Sequence, residues 1–98
     1  MRARLILDTK TVLADGRIIQ RRIWQLPAAT AARPHGLKYS LYCGRGGATI
    51  VRYDNETPKG DHRHLGPSEA PNDYRFDSLR RLLSDFARDI EALSGEIK

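Results

Sequence analysis

The stretch 53–66 (YDNETPKGDHRHLG) gathers His62, His64, Asp54, Asp61, Lys59 and Arg63 between a predicted strand and a glycine. His62 and His64 are two residues apart, so an extended backbone would point both imidazoles to one side. Such a pair suits acid/base work on a phosphate. One ring would take a proton from a ribose 2′-hydroxyl and the other would give one to the leaving oxygen. An unperturbed histidine titrates near pH ~6.5, which serves either role, and such proton transfers contribute on the order of 10²–10⁴-fold. Lys59 and Arg63, with Arg52 just upstream, are candidates to hold the phosphate and offset developing charge. Asp54 or Asp61 would orient an imidazole, and Tyr53 would stack on a base or assist proton transfer. The spacing alone is also compatible with a scaffold role, in which both histidines bond the backbone and order a loop. Pro58, Gly60 and Gly66 make that loop the expectation, rather than a buried strand or a helix interior.

A metal is a weaker reading of the same residues. His62 and His64 with Asp61 or Asp54 offer nitrogen and oxygen ligands, but no second His or Cys cluster supplies the third and fourth positions that zinc usually takes. No metal and no cofactor are expected. P-loop, dinucleotide, nucleophile-elbow and CxxC patterns are absent from the sequence.

The elements that must carry these residues belong to one domain spanning residues 1–98. Its 40% hydrophobic and 30% charged residues are those of a globular chain. Its formal net charge of +5 makes a polyanion or an acidic protein a plausible partner. No apolar run is long enough to span a bilayer, no secretory leader is evident, and the single Cys43 forms no internal disulfide. A cytoplasmic protein without membrane contact is expected.

The first half reads as β. Apolar stretches at 3–8 and 11–14 precede Asp15-Gly16, a hairpin pair whose positions tolerate positive φ. A strand over 17–26 is apolar on neither side alone, and Pro27 ends it. Residues 28–36 read as a loop in which His35 has no assigned role. Strands at 37–43 and 48–53 flank a turn at 44–47, and Trp24 and Tyr39 read as core residues. The period then changes. Leu79, Leu82, Leu83, Phe86, Ile90 and Leu93 recur every three or four residues, the apolar stripe of a helix that Asp77 or Ser78 would cap and Gly95 would end. The expected fold is α+β, an antiparallel meander sheet of four to five strands packed by one C-terminal amphipathic helix.

With these residues in view, the chain resembles the TumE-type toxins, the toxic partners of small bacterial TumA–TumE toxin–antitoxin pairs. The likeness spans nearly the whole chain. It is carried by 11–16 (TVLADG), Ile23-Trp24 up to Pro27, Lys38-Tyr39, 51–56 (VRYDNE), 59–64 (KGDHRH), and the helix from Ser78 through Leu83 to Asp85, Phe86 and Asp89. The resemblance implies a toxin neutralised by a DNA-binding antitoxin, and by analogy with other small basic toxins an action on RNA. The strand-first order differs from the helix-first order of RelE-like ribonucleases. The residue roles above therefore rest on side-chain chemistry. Two functions follow as expectations: a metal-independent ribonuclease using His62 and His64, or a non-catalytic module that docks nucleic acid or an acidic antitoxin through the 53–66 loop.

Overall fold

Alternating side chains and tight reversals lay each strand beside the one before it. The computed structural model describes residues 3–31, 33–56, 60–66 and 71–94. Its elements are β1 (Arg4–Val12), β2 (Ile18–Gln25), β3 (Leu37–Arg45), β4 (Ala48–Asp54), β5 (His62–Leu65), β6 (Pro71–Asp73) and α1 (Leu79–Ser94). The six strands form one sheet in the order β1-β2-β3-β4-β5-β6, every neighbouring pair antiparallel. The α+β meander with a single C-terminal helix is as expected, but the sheet has six strands rather than four or five.

One added strand, β5, comes from the segment read as a loop, and the other, β6, from the residues after it, to which the sequence reading assigns no element. His62–Leu65 pairs with Val51–Asp54, and Pro71–Asp73 pairs with His62–His64. Strands of four and three residues lack the apolar alternation that betrays longer ones, and their Gly and Pro neighbours look like turns. The stretches 3–8 and 11–14 belong to one strand, β1, with a register shift between Leu5 and Leu7. The Asp15-Gly16 reversal is a hairpin, Gly16 taking φ 91°.

Most of the core lies on one face of the sheet, and Ile50 of β4 is buried beside it. Ile19 and Ile23 of β2, Tyr39, Leu41 and Cys43 of β3, and Val51 and Tyr53 of β4 point toward α1, which contributes Leu82, Phe86 and Ile90. The helix begins at Ser78, whose Oγ accepts the Arg81 backbone N–H at 3.1 Å, so Ser78 rather than Asp77 is the cap. Gly95 lies outside the described residues.

The opposite face follows from the register. Trp24 pairs with Lys38. Arg22, Ser40, Asp54 and His62 form one cross-strand row, and Gln20, Tyr42, Arg52 and His64 form the next. Trp24 therefore leaves the core, contrary to the sequence reading, because it shares its face with Arg22 rather than with Ile23. Near the end of β3 the Tyr42 phenol lies along the sheet where a Gly44 side chain would be; a Cβ there would come within 2.0 Å of the hydroxyl oxygen. Leu5, Ile6 and Val12, the exposed large apolar side chains among the described residues, all stand on the edge strand β1.

Candidate functional site

Strand pairing brings the histidine pair and its partners together. As their spacing requires, His62 and His64 share one face of β5, ring centroids 5.0 Å apart and nearly perpendicular. Directly across, on β4, stand Asp54 opposite His62 and Arg52 opposite His64. His62 Nε2 lies 2.9 Å from Asp54 Oδ1, and its Nδ1 lies 2.7 Å from the Gly60 carbonyl oxygen. Both neighbours are acceptors, so a ring protonated on both nitrogens satisfies both bonds, whereas a neutral ring satisfies one. His64 is arranged the other way. Its Nε2 faces the Arg52 guanidinium at 3.3 Å, a donor, so that nitrogen carries the lone pair. Arg52 also reaches Asp54 at 3.5 Å. His62 and His64 are buried, at 5% and 4% exposure, while the Arg52 side chain at 38% reaches the surface.

This cluster contains the group of potential metal ligands that the sequence reading found incomplete. Ligand atoms of Asp54, His62 and His64 all lie within 4.8 Å of one another. The positive charge beside Asp54 and His64 is supplied by Arg52 of the same strand.

The remaining candidate residues point elsewhere. Asp61 turns toward the helix side, where it accepts a hydrogen bond from the Tyr39 hydroxyl at 2.9 Å and one from His35 Nε2 at 3.0 Å. The Leu37 N–H donates to His35 Nδ1, which fixes the proton on Nε2, and the ring rests against Phe76 with centroids 4.1 Å apart. Burial, the Asp61 charge and that hydrogen bond push the Tyr39 phenol well above its usual range. Asp61 thus fastens the 28–36 loop to the sheet and is not beside the histidines of β5.

Tyr53 and Arg63 also face the helix, being the inward pair between Asp54–His62 and Arg52–His64. Tyr53 is fully buried, edge-on to Phe86 and Tyr74. Its hydroxyl donates to Asp89 of α1 and accepts from Arg63, which bonds Asp89 as well at 3.1 Å. Burial and the Asp89 hydrogen bond raise the Tyr53 phenol, partly offset by Arg63. Lys59 lies outside the described residues.

Sequence reasoning missed four participants. His35 carried no signal, lying between Pro34 and Gly36. Asp85 and Asp89 sit one helical turn apart beside Leu82 and Phe86, a spacing that could have marked them as inward-leaning acids. Asp85 accepts from Tyr74 at 2.7 Å and from Arg81 and Arg88. Asn55 clips β4 to β3, accepting the Tyr39 N–H and donating to the Leu37 carbonyl oxygen.

A family model described as Toxin TumE matches residues 2–94. No curated protein and no solved structure matches the chain.

Proposed function

The chain belongs to the TumE toxin family, and from that premise we propose that it is a ribonuclease whose chemistry is centred on His64, His62, Asp54 and Arg52. The family makes it a toxin of a toxin–antitoxin system with an antitoxin partner. The observation that carries the chemical reading is the convergence of four ionisable side chains on one small region of β4 and β5. Buried titratable groups are costly to keep where apolar ones would pack, so such clusters concentrate at functional sites.

In this reading Arg52 releases His64 to take a phosphate, uncovering the Nε2 lone pair. His64 accepts the proton of the ribose 2′-hydroxyl as that oxygen attacks phosphorus. His62 returns a proton to the departing 5′-oxygen from the Nε2 it shares with Asp54. Asp54 holds the His62 ring, and Arg52 offsets charge on the phosphoryl oxygens. The toxin works in the cytoplasm, and its antitoxin is a DNA-binding protein. The surface that best fits that antitoxin is the β1 edge, where unpaired backbone groups and exposed Leu5, Ile6 and Val12 would receive an added strand.

The test is growth arrest on expression, together with cleavage of RNA by purified protein in chelator. His64→Ala should abolish both, and Arg52→Ala should weaken both. Full toxicity in a His62→Ala, His64→Ala double variant would end the catalytic reading. Loss of cleavage in chelator would instead favour a metal at Asp54, His62 and His64. A second reading, a binding module without chemistry, is favoured by one observation: both nitrogens of His62 are already engaged and both rings are buried. It requires toxicity that survives the double variant and RNA that stays intact.

A further inference from the structure

The helix-free face of the sheet carries the chain's one tryptophan, in a setting the core does not require. Trp24 is half-buried, flanked by the Arg22 guanidinium 5.1 Å from the ring centroid and by Lys38 Nζ at 5.6 Å. Arg22 stands in the same cross-strand row as Asp54 and His62, and Lys38 is the direct partner of Trp24. A row across β2, β3, β4 and β5 therefore runs from an aromatic ring between two cations to the Asp54–His62–His64–Arg52 cluster. Three strand spacings separate the ends, about 14 Å. Exposure falls along the row: Arg22 and Ser40 are open to solvent, Asp54 is half-buried, and His62 is buried. The Arg22 side chain is 53% exposed, and its contact with Asp8, at 3.5 Å and equally exposed, is too open to hold it.

We propose that this face is a single-stranded RNA platform, on which one base stacks on Trp24 while Arg22 and Lys38 hold the flanking phosphates and lead the strand to the histidines. The inference deepens the ribonuclease reading and rests on its choice of RNA, but it assigns binding to residues outside the proton-transfer cluster. An RNA strand fits on charge and on ring chemistry together. Its phosphates match Arg22, Lys38 and Arg52, and every base offers a π-face that the half-buried Trp24 ring would accept without regard to sequence as the two cations move from over the ring to the phosphates. A sheet face that stacks bases on its aromatic residues is an established way of holding two or three nucleotides. An acidic protein would satisfy the cations and leave the indole without a partner.

Because the chain has a single tryptophan, its fluorescence reports on this site alone. The probe is an eight-nucleotide 2′-O-methyl RNA, which lacks the attacking hydroxyl, with fluorescence and anisotropy followed in the same titration. Saturable quenching is expected, with an affinity that falls steeply with salt. Trp24→Ala should weaken binding about 5- to 150-fold by anisotropy. Arg22→Ala and Lys38→Ala, exposed or half-exposed positions that do not threaten folding, should each lower the salt slope by about one. Polyglutamate of equal charge should leave the fluorescence unchanged.

Binding by Trp24→Ala, Arg22→Ala and Lys38→Ala as tight as by the parent would overturn the platform, even if the protein proves to cleave RNA. So would quenching by polyglutamate equal to that by RNA, or no binding of the probe at all. A His62→Ala, His64→Ala variant that binds and quenches as the parent does, while neither protein cuts RNA, would refute the ribonuclease and leave the platform standing.

Discussion

Replacing Asp54 separates what the histidine cluster does for stability from what it does for toxicity. Asp54→Asn keeps the shape and an acceptor oxygen opposite His62 Nε2, but removes the charge at the end of a 2.9 Å bond. Hydrogen bonds involving a charged group are worth about 1.5–3 kcal/mol and neutral ones about 0.5–1.5 kcal/mol, so the amide should cost about 1 kcal/mol. Asp54→Ala removes the acceptor as well and leaves a buried ring nitrogen without its partner, for which about 3 kcal/mol is the low end of measured losses. The low end applies because the Asp54 side chain is 14% exposed and water reaches it.

For a domain of this size each kcal/mol moves the midpoint of thermal unfolding by roughly 4–8 °C. The amide should therefore melt about 4–8 °C below the parent and the alanine variant at least about 12 °C below it. Circular dichroism of the three proteins measures this directly. Equal losses for Asn and Ala, or none for either, would refute the hydrogen-bond account of His62. Growth assays then add the chemistry. Even from the low end of domain stability, about 5 kcal/mol, a loss of 1 kcal/mol leaves roughly one molecule in a thousand unfolded. Toxicity lost in Asp54→Asn is then loss of function rather than of fold.

Gly44→Ala should destabilise by about 1–3 kcal/mol, because its Cβ would meet the Tyr42 hydroxyl and lie 2.8 Å from the Ala48 carbonyl oxygen; urea midpoints that match the parent would contradict the packing described. Burial pushes the Asp85 carboxyl up, but the hydrogen bonds from Tyr74 and Arg81 and the charges of Arg81 and Arg88 outweigh it and hold the group below its usual value. The stability Asp85 contributes is therefore present above the unfolded value near pH ~3.9 and is lost as pH falls through the lower folded one. Asp85→Asn should lower the urea midpoint at pH 7 and flatten its decline below pH 4, and an unchanged acid limb would refute the assignment. On the β1 edge, Leu5→Lys with Val12→Lys should release the antitoxin in co-purification while leaving the melting temperature within a few degrees, since both side chains are exposed; undiminished co-purification would move the antitoxin elsewhere.

Long elements were legible and short ones were not. The strand through Leu41 and the helix through Leu82 and Phe86 announce themselves because their burial repeats at a fixed period over many residues, and the strands through Ile23 and Val51 by their β-branched residues beside turn signals. β5 has only His62, Arg63, His64 and Leu65, whose pattern puts polar rings where apolar side chains would mark a buried face. Trp24 was misread for a related reason. Aromatic character suggested the core, while its face was decided by alternation with Ile23 and by the partner Lys38. At the candidate site, spacing gave the common direction of the two histidines and offered both Asp54 and Asp61 as partners. Which acid lies beside them depends on how β4 pairs with β5, a long-range fact that the local sequence does not carry. The contact of His35 with Asp61, 26 residues apart, was beyond reach for the same reason.

The stretches 51–56 and 59–64, which carry the resemblance in sequence, include residues that form one device once the pairing is known. Along β4 and β5, Tyr53 and Arg63 face the helix and are locked to Asp89, while Arg52, Asp54, His62 and His64 face away. A slip of one residue would exchange the two sets, burying the charged cluster against Phe86 and exposing Tyr53, so the core fixes the position of the histidines. The converse does not hold. Nothing in the packing of α1 against Tyr39, Leu41, Val51 and Tyr53 calls on either imidazole. Well-packed apolar residues in place of a buried charged group are often neutral or stabilising. A strand pair whose inner face packs the helix, and whose outer face holds two buried histidines, a carboxylate and a guanidinium, carries on that outer face groups that the helix packing does not require, which is the pattern of a functional site.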